Sequence, residues 1–163
     1  MIPDSGFICR TIGSTYSVVC AGPEYLESRG VPRSLEDLAR HTCLQLQDPA
    51  FPRGWEIEGL DTEAFGGTDA AFKVNVADAI AQAAKANMGI VLIPGYVAAA
   101  AIRNRELVRV LPEVKAHLRK ISVIYPSRRF LDAKVRTWID FLKENLQKRQ
   151  AIDELSLCGS SEA

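Results

Sequence analysis

Residues 72–93 read FKVNVADAIAQAAKANMGIVLI, and this stretch decides the predicted fold. Residues 72–76 predict a strand, and the apolar run at residues 90–93 predicts another. A continuous apolar run of this length is typical of a strand buried on both faces of a parallel sheet. Strand, helix and strand in close succession predict a right-handed βαβ unit. Between the strands, apolar side chains recur at helical spacing, at Ala77, Ile80, Ala81, Ala84 and Met88.

The ends of this helix also carry signals. Asn75 is of the residue type that caps helix N-termini, and Asp78 follows at the third position. Gly89 is placed where a left-handed C-terminal cap belongs. We therefore expect Asn75 to cap the helix and Gly89 to end it.

The remaining pattern alternates short strands with helices, which predicts an α/β fold. Helices are expected after Gly22-Pro23, from Ser34, from Pro94-Gly95, and from Asp132 to Leu146. Past Leu146 the apolar stripe is lost, so a frayed tail is expected. Further strands are predicted at residues 8–12, 16–21, 43–46, 55–58, 107–111 and 121–125.

Composition excludes several classes of protein. The 163 residues are 47% hydrophobic with a formal net charge of zero, which is too apolar for a disordered chain. The most apolar stretch, residues 89–102, is too short to span a bilayer and is interrupted by Pro94-Gly95. No signal peptide is recognisable at Met1. We expect a cytoplasmic protein without a membrane partner.

No catalytic, metal or cofactor motif is recognisable in the sequence. The four cysteines form no C-x-x-C pair, and nucleotide-binding glycine motifs and a nucleophile elbow are missing. Cys9, Cys20 and Cys43 are expected to be buried as small apolar side chains, and Cys158 to be a free thiol. Cys43 lies close to His41, but no third group completes a catalytic site. These residues therefore predict no enzyme, no metal site and no cofactor.

Several runs, taken in order, resemble the effector-binding domain of LysR-type transcriptional regulators. The run at 20–32, CAGPEYLESRGVP, precedes SLEDLARHTCL at 34–44 and resembles the family's conserved pair of motifs. Similar matches are GIVLIP at 89–94, LVRVLP at 107–112, and YPSRR at 125–129 followed by KVR at 134–136. The blocks cover nearly the whole chain in the family's order.

The resemblance implies a periplasmic-binding-protein-like type 2 fold, with two lobes joined by two crossover strands and the first lobe incomplete. The crossover strands would be residues 16–21 and 121–125, which would run antiparallel to each other. The implied divisions are a lobe 1 remnant with the first crossover strand at 1–20, lobe 2 at 21–120, the second crossover strand and C-terminal helix of lobe 1 at 121–147, and a tail at 148–163.

The resemblance also implies the partners. A small anionic or aromatic effector would bind in the cleft between the lobes, and the domain would act as a homo-oligomer, namely a dimer. DNA would be contacted only through a winged helix-turn-helix, which this sequence does not contain. The opening βα units of the first lobe are missing as well, so the chain is interpreted as N-terminally truncated.

Candidate effector-binding residues follow from the predicted cleft. A helix N-terminus after a strand end attracts small anions, which makes Asn75 the first candidate. Phe51 and Trp55 could form an apolar wall. The remaining candidates are near the crossover strands and are Thr11, Ser14, Thr15 and Tyr125.

Three other interpretations remain open from the sequence. The chain could be a stand-alone solute-binding module, although no secretion signal supports this. It could be a partly functional fragment, since half a lobe leaves sheet edges exposed. It could also be an uncharacterised α/β enzyme, if a cluster of His, Cys and carboxylate side chains converged in the cleft.

Overall fold

The computed structural model describes residues 7–60, 72–126 and 133–158. Motif residues 127–129 and the expected helix start at Asp132 lie outside these ranges. The strands are β1 (Phe7–Ala21), β2 (Cys43–Leu46), β3 (Lys73–Val74), β4 (Ile90–Pro94), β5 (Val108–Arg109) and β6 (Ala116–Pro126). The helices are α1 (Pro23–Arg29), α2 (Ala77–Lys85), α3 (Gly95–Arg103) and α4 (Ala133–Cys158), with a short 3₁₀ helix at Glu36–Arg40.

The described strands form one mixed sheet in the order β3-β2-β4-β1-β5, and β6 pairs with β1. β3 and β4 both run parallel to β2, while β1 runs antiparallel to β4, β5 and β6. The chain from β3 through α2 to β4 passes over the intervening β2, so the predicted strand-helix-strand unit is confirmed.

Each face of the sheet is covered by its own core. Val91 and Ile93 of β4 pack with residues of α2 and α3 on one face. Ile90 and Leu92 point the other way, into a cluster with Tyr25, Leu38 and Trp55. The side chains of residues 90–93 are all buried, which explains why the strand is apolar without alternation.

β1 extends past its pairing with β4 and β5, and its first part forms a two-stranded antiparallel ribbon with β6. We call residues 7–17 of β1 together with β6 the ribbon. Its register runs from Phe7 opposite Pro126 to Ser17 opposite Ala116, with irregularities at Thr11/Gly13 and Thr15/Ser17. The predicted break at residues 13–15 is therefore wrong, because bulges absorb the polar residues without ending the strand.

The two predicted crossover segments have different main partners in the structure. Residues 121–125 lie opposite residues 8–13, whereas residues 16–21 pair mainly with β4. The two segments belong to the same sheet because β1 is long enough to serve both partners in turn. The length of β1 could not be inferred while Gly13 was interpreted as a strand end.

Two local predictions around residues 55–58 and α2 are wrong. Residues 55–58 form no strand, because the amides of Glu56 and Ile57 bond to carbonyls two residues earlier, at 2.9 and 3.0 Å. At α2, Val76 precedes the first helical residue and no side chain caps the helix, so Asn75 is not the cap. The helix ends at Lys85, and Asn87 rather than Gly89 adopts a positive φ, of 60°.

The expected tail is helical as far as Cys158. Leu157 is buried against α3, and its carbonyl accepts a hydrogen bond from Arg109 Nη1 at 3.2 Å. Arg103 Nη1 donates to Ser156 Oγ at 3.3 Å. The prediction of a frayed tail is thus wrong for residues 148–158, since tertiary contacts stabilise a segment that lacks a continuous apolar stripe.

The cysteines do not all behave as predicted. Cys20 is buried in the core and Cys43 is partly buried, as expected. Cys9 is exposed, which corrects the prediction for this residue, because it lies on the ribbon rather than in the covered sheet. Cys158 is an exposed free thiol at the end of α4.

Candidate functional site

A pocket of about 60 Å³ lies where two parallel strands end beside the ribbon. Leu46 and Pro94 are the last residues of β2 and β4, and both line it. Thr15 of β1 and His117 of β6 contribute from the ribbon. In open α/β sheets, ligands bind beyond the carboxyl ends of the strands. We call this cavity the ribbon pocket.

An ion pair joins the two sides of the ribbon pocket. Arg119 Nη2 of β6 donates to Asp48 Oδ2, and Asp48 follows closely after the end of β2. The Ala50 amide also donates to the Asp48 carboxylate, at 2.9 Å. Burial alone would raise the pKa of Asp48, but these hydrogen bonds and the charge of Arg119 outweigh it and lower the pKa below its ordinary value. The pair is therefore ionised at neutral pH.

An aromatic stack lies next to the ion pair. The rings of His117 and Phe51 have centroids 3.8 Å apart and planes inclined by 13°. The Arg119 guanidinium carbon is 4.7 Å from the Phe51 ring centroid, a distance suited to a cation–π contact. His117 adopts a φ of 51°, an uncommon conformation for a residue with a side chain. The ribbon thus holds this imidazole in a defined position against the loop after β2.

The environment favours the neutral form of His117. Burial lowers the pKa of the imidazole, and the nearby Arg119 charge lowers it further. A hydrogen bond with the Gly54 backbone and the Glu56 and Asp48 carboxylates act in the opposite direction but do not outweigh these effects. The Nε2 atom is buried and has no hydrogen-bond partner among the described residues.

Trp55 fixes the base of the ribbon pocket. Its side chain is buried and its Nε1 donates to the Leu44 carbonyl of β2 at 3.1 Å. The preceding Gly54 has a φ of 77°, and a Cβ at this position would collide with the Gln45 side chain. This turn brings the loop back to β2 and needs the glycine.

The structure brings only some of the predicted site residues together. Thr15 and Trp55 line the ribbon pocket, and Phe51 reaches it through its stack on His117. Asn75 is exposed and lines a separate groove of about 640 Å³ beside Lys73 and Gln45. Whether any of these residues binds an effector stays a prediction.

The other three candidates lie elsewhere on the ribbon. Thr11 is exposed, and its hydroxyl is 3.3 Å from Ser122 Oγ. Ser14 lines a cavity of about 610 Å³ between the ribbon and α4, and its carbonyl accepts a hydrogen bond from Gln150. Tyr125 lies opposite Ile8, near the far end of the ribbon. None of the three lines the ribbon pocket.

Sequence reasoning did not select Asp48, His117 or Arg119, which supply the polar groups of the ribbon pocket. A signal for each was present. Asp48 follows a predicted strand end, and His117 and Arg119 are two residues apart, a spacing that puts strand side chains on one face. The missing information was that β6 begins at Ala116, several residues before the predicted strand.

The neighbourhood of His41 and Cys43 has a structural explanation. Tyr25 Oη is 3.3 Å from His41 Nδ1 and accepts a hydrogen bond from the Thr42 amide at 2.9 Å. Burial raises the pKa of the Cys43 thiol to about 12, so the thiolate needed for nucleophilic attack is not formed at neutral pH. Within the described ranges, no group of three His, Cys, Asp or Glu side chains could hold a metal ion. No helix described here is long and apolar enough to cross a bilayer.

Comparison with known proteins gives a consistent result. The family described as "LysR substrate binding domain" matches residues 2–147. An uncharacterised HTH-type transcriptional regulator of Escherichia coli K12, YhjC, is 30% identical over 143 residues, covering 86% of this chain and 48% of that protein. An uncharacterised HTH-type transcriptional regulator of Haemophilus influenzae is 32% identical, covering 81% of this chain and 46% of that protein. The chain spans about half the length of the curated relatives it matches.

A solved structure agrees with these relatives. The regulatory domain of CrgA, a LysR-type transcriptional regulator from Neisseria meningitidis, superimposes with a TM-score of 0.71 at 25% identity. The match covers 90% of this chain and 72% of that domain. The fold is therefore the periplasmic-binding-protein-like type 2 fold, as predicted.

The fold, together with these matches, places the chain among the regulatory domains of transcriptional regulators. Within this class, the chain belongs to the LysR substrate-binding domain family and is part of such a domain. Its relatives are transcriptional regulators rather than enzymes.

Proposed function

We propose that this chain senses a small anionic or aromatic effector in the ribbon pocket and thereby controls transcription. The observation that supports this most directly is the composition of the pocket. It combines a guanidinium, a carboxylate and a neutral imidazole with the apolar surfaces of Trp55 and Phe51. A few polar groups converging on an apolar wall are typical of small-molecule sites.

The pocket's connections support a regulatory role. It is built from β2 and β4 on one side and from β6 on the other. The Asp48–Arg119 pair crosses this boundary, and an anion bound to the remaining guanidinium donors would share Arg119 with Asp48. A ligand that bonds to both sides favours one arrangement of ribbon and sheet over another. The change in the arrangement of ribbon and sheet would then be the regulatory signal.

The rest of the proposal concerns partners. The domain would act as a dimer in the cytoplasm, without enzymatic activity and without a cofactor. It would reach DNA through a helix-turn-helix region such as the names of its relatives indicate. Residues 21–120 would form the second lobe, and the ribbon would be its connection to the first.

The test is ligand binding to the purified chain and to two neighbouring variants. Small carboxylates and phenols are screened by thermal shift, and those that raise the melting temperature are titrated by calorimetry. We expect Arg119→Gln to weaken binding about tenfold or more, because a charge-assisted hydrogen bond is lost. Lys120→Gln is the matched control, since Lys120 is exposed and does not line the pocket. Equal affinity of both variants, or no stabilising compound in the screen, would contradict the proposal.

A further inference from the structure

His117 leaves one polar atom of the ribbon pocket without a partner. Its Nε2 is buried. Among the residues that the structure describes, it has no hydrogen-bond partner. A buried polar atom without a partner is unfavourable, so such atoms in proteins usually meet a ligand or an ordered water. His117 lines the pocket, which gives a ligand access to this side chain.

The chemistry of Nε2 is that of a ring nitrogen in a neutral imidazole. One ring nitrogen carries the proton and the other a lone pair, so Nε2 either donates or accepts one hydrogen bond. A hydroxyl group can do both. A ligand hydroxyl therefore satisfies Nε2 in either tautomer, whereas a C–H group of the ligand does not.

The surrounding groups define the complementary ligand. Asp48 engages Nη2 of Arg119, and a guanidinium has five N–H donors in total, so further donors remain for a carboxylate. We propose that His117 determines the specificity of the ribbon pocket through a hydrogen bond between its Nε2 and an effector hydroxyl. Together with Arg119, it selects hydroxy-carboxylic acids over the same acids without the hydroxyl. This inference rests on the proposed function of the pocket.

The stack on Phe51 makes the selection stringent. Ring centroids 3.8 Å apart and the constrained backbone of His117 prevent the imidazole from turning away when no ligand hydroxyl is present. A site that holds a polar atom in place loses the whole hydrogen bond when the ligand lacks the matching group. We expect the hydroxy acid to bind about tenfold more tightly than its deoxy partner.

The experiment uses matched pairs of acids that differ in one hydroxyl group. They are lactate with propionate, malate with succinate, and 4-hydroxybenzoate with benzoate, each titrated by calorimetry into the wild-type chain and into His117→Phe. The phenylalanine keeps an aromatic ring against Phe51 but removes Nε2. The inference is supported if the wild type prefers the hydroxyl member of every pair that binds and the variant does not. His117→Asn, whose residue type tolerates a positive φ, serves in the same role if the phenylalanine variant does not fold.

Other outcomes separate this inference from the proposed function. Binding without a preference for the hydroxyl, or a preference that survives in the variants, overturns the role of His117 and leaves the pocket as an effector site. No binding by any of the acids at millimolar concentration overturns both.

Discussion

Asp48 and Arg119 are 71 positions apart in the chain, and their side chains form an ion pair across the ribbon pocket. Asp48 belongs to the loop after β2, and Arg119 to the ribbon. Both charges act on His117, which lies beside them. The Arg119 charge lowers the pKa of the imidazole, and the Asp48 charge raises it. The ion pair therefore connects the loop after β2 to the ribbon, and its two charges shift the pKa of His117 in opposite directions.

The opposite signs of these effects give the first prediction. Asp48→Asn removes a negative charge beside the imidazole, so we expect a lower pKa of His117 in that variant. Arg119→Gln removes a positive charge and should raise the pKa. The measurement is an NMR titration of the His117 ring protons in the two variants and the wild type. Shifts in the same direction for both variants would show that the two charges do not act on His117 as the geometry requires.

The second prediction concerns the pH dependence of stability. The pKa of His117 is lower in the folded chain than the usual value of about 6.5, so the unfolded chain takes up a proton first as the pH falls. The stabilising contribution of the neutral ring is present above pH 6.5 and is lost as the pH falls towards the folded-state pKa. The groups that act on the ring are Arg119, Gly54, Glu56 and Asp48. Urea unfolding between pH 5 and pH 7.5 measures the effect.

The matched variant for this measurement is His117→Phe. It has no titrating group at this position, so its free energy of unfolding should fall less than that of the wild type over the same pH range. Identical pH profiles for the two proteins would exclude a depressed pKa at His117. The comparison is made as a difference between proteins, because carboxylates elsewhere titrate in both.

The third prediction uses the two tryptophans of the chain as a pair. Trp55 is buried and donates from Nε1 to the Leu44 carbonyl, whereas Trp138 is 57% exposed. Trp55→Phe removes the donor and leaves the buried carbonyl without this bond, so we expect a loss of about 1–3 kcal/mol in the free energy of unfolding. Trp138→Phe should change it by about 0.5 kcal/mol or less. Chemical denaturation gives both values, and equal losses would contradict the buried position of Trp55.

The central sheet could be predicted because local pattern and tertiary environment agree there. The run Ile90–Pro94 is apolar on both sides, and the structure buries both sides under separate cores. The α3 start at Pro94-Gly95 and the β2 strand at Cys43–Leu46 follow for similar reasons. Periodicity and the chemistry of glycine and proline are sufficient to predict a strand or helix that has a single set of neighbours.

The ribbon pocket could be predicted only in part, because its polar groups come from distant parts of the chain. Thr15 and Trp55 were candidates on local grounds, and both line it. His117 and Arg119 reach it only because β6 starts at Ala116 and pairs with β1 through a bulge between Thr15 and Ser17. A register of this kind depends on the partner strand, and no local pattern in residues 112–120 specifies it.

The same reasoning explains the error at the end of α4. The hydropathy pattern after Leu146 does not show a regular apolar face, yet single residues there are buried by contacts with α3 and β5. Leu157 is 3% exposed, while Leu155 in the same helix is 76% exposed. Tertiary contacts at a few positions are enough to keep the segment helical.

The last prediction tests this docking directly. Leu157→Ala removes a buried side chain near Gly95 and Arg109, and we expect it to reduce the free energy of unfolding by about 2–5 kcal/mol. Leu155→Ala makes the same change in the same helix at an exposed position and should cost about 0.5 kcal/mol or less. Urea denaturation followed by circular dichroism measures both variants. If the two substitutions cost the same, residues 148–158 are not docked on the sheet, and the original expectation of a frayed tail would be restored.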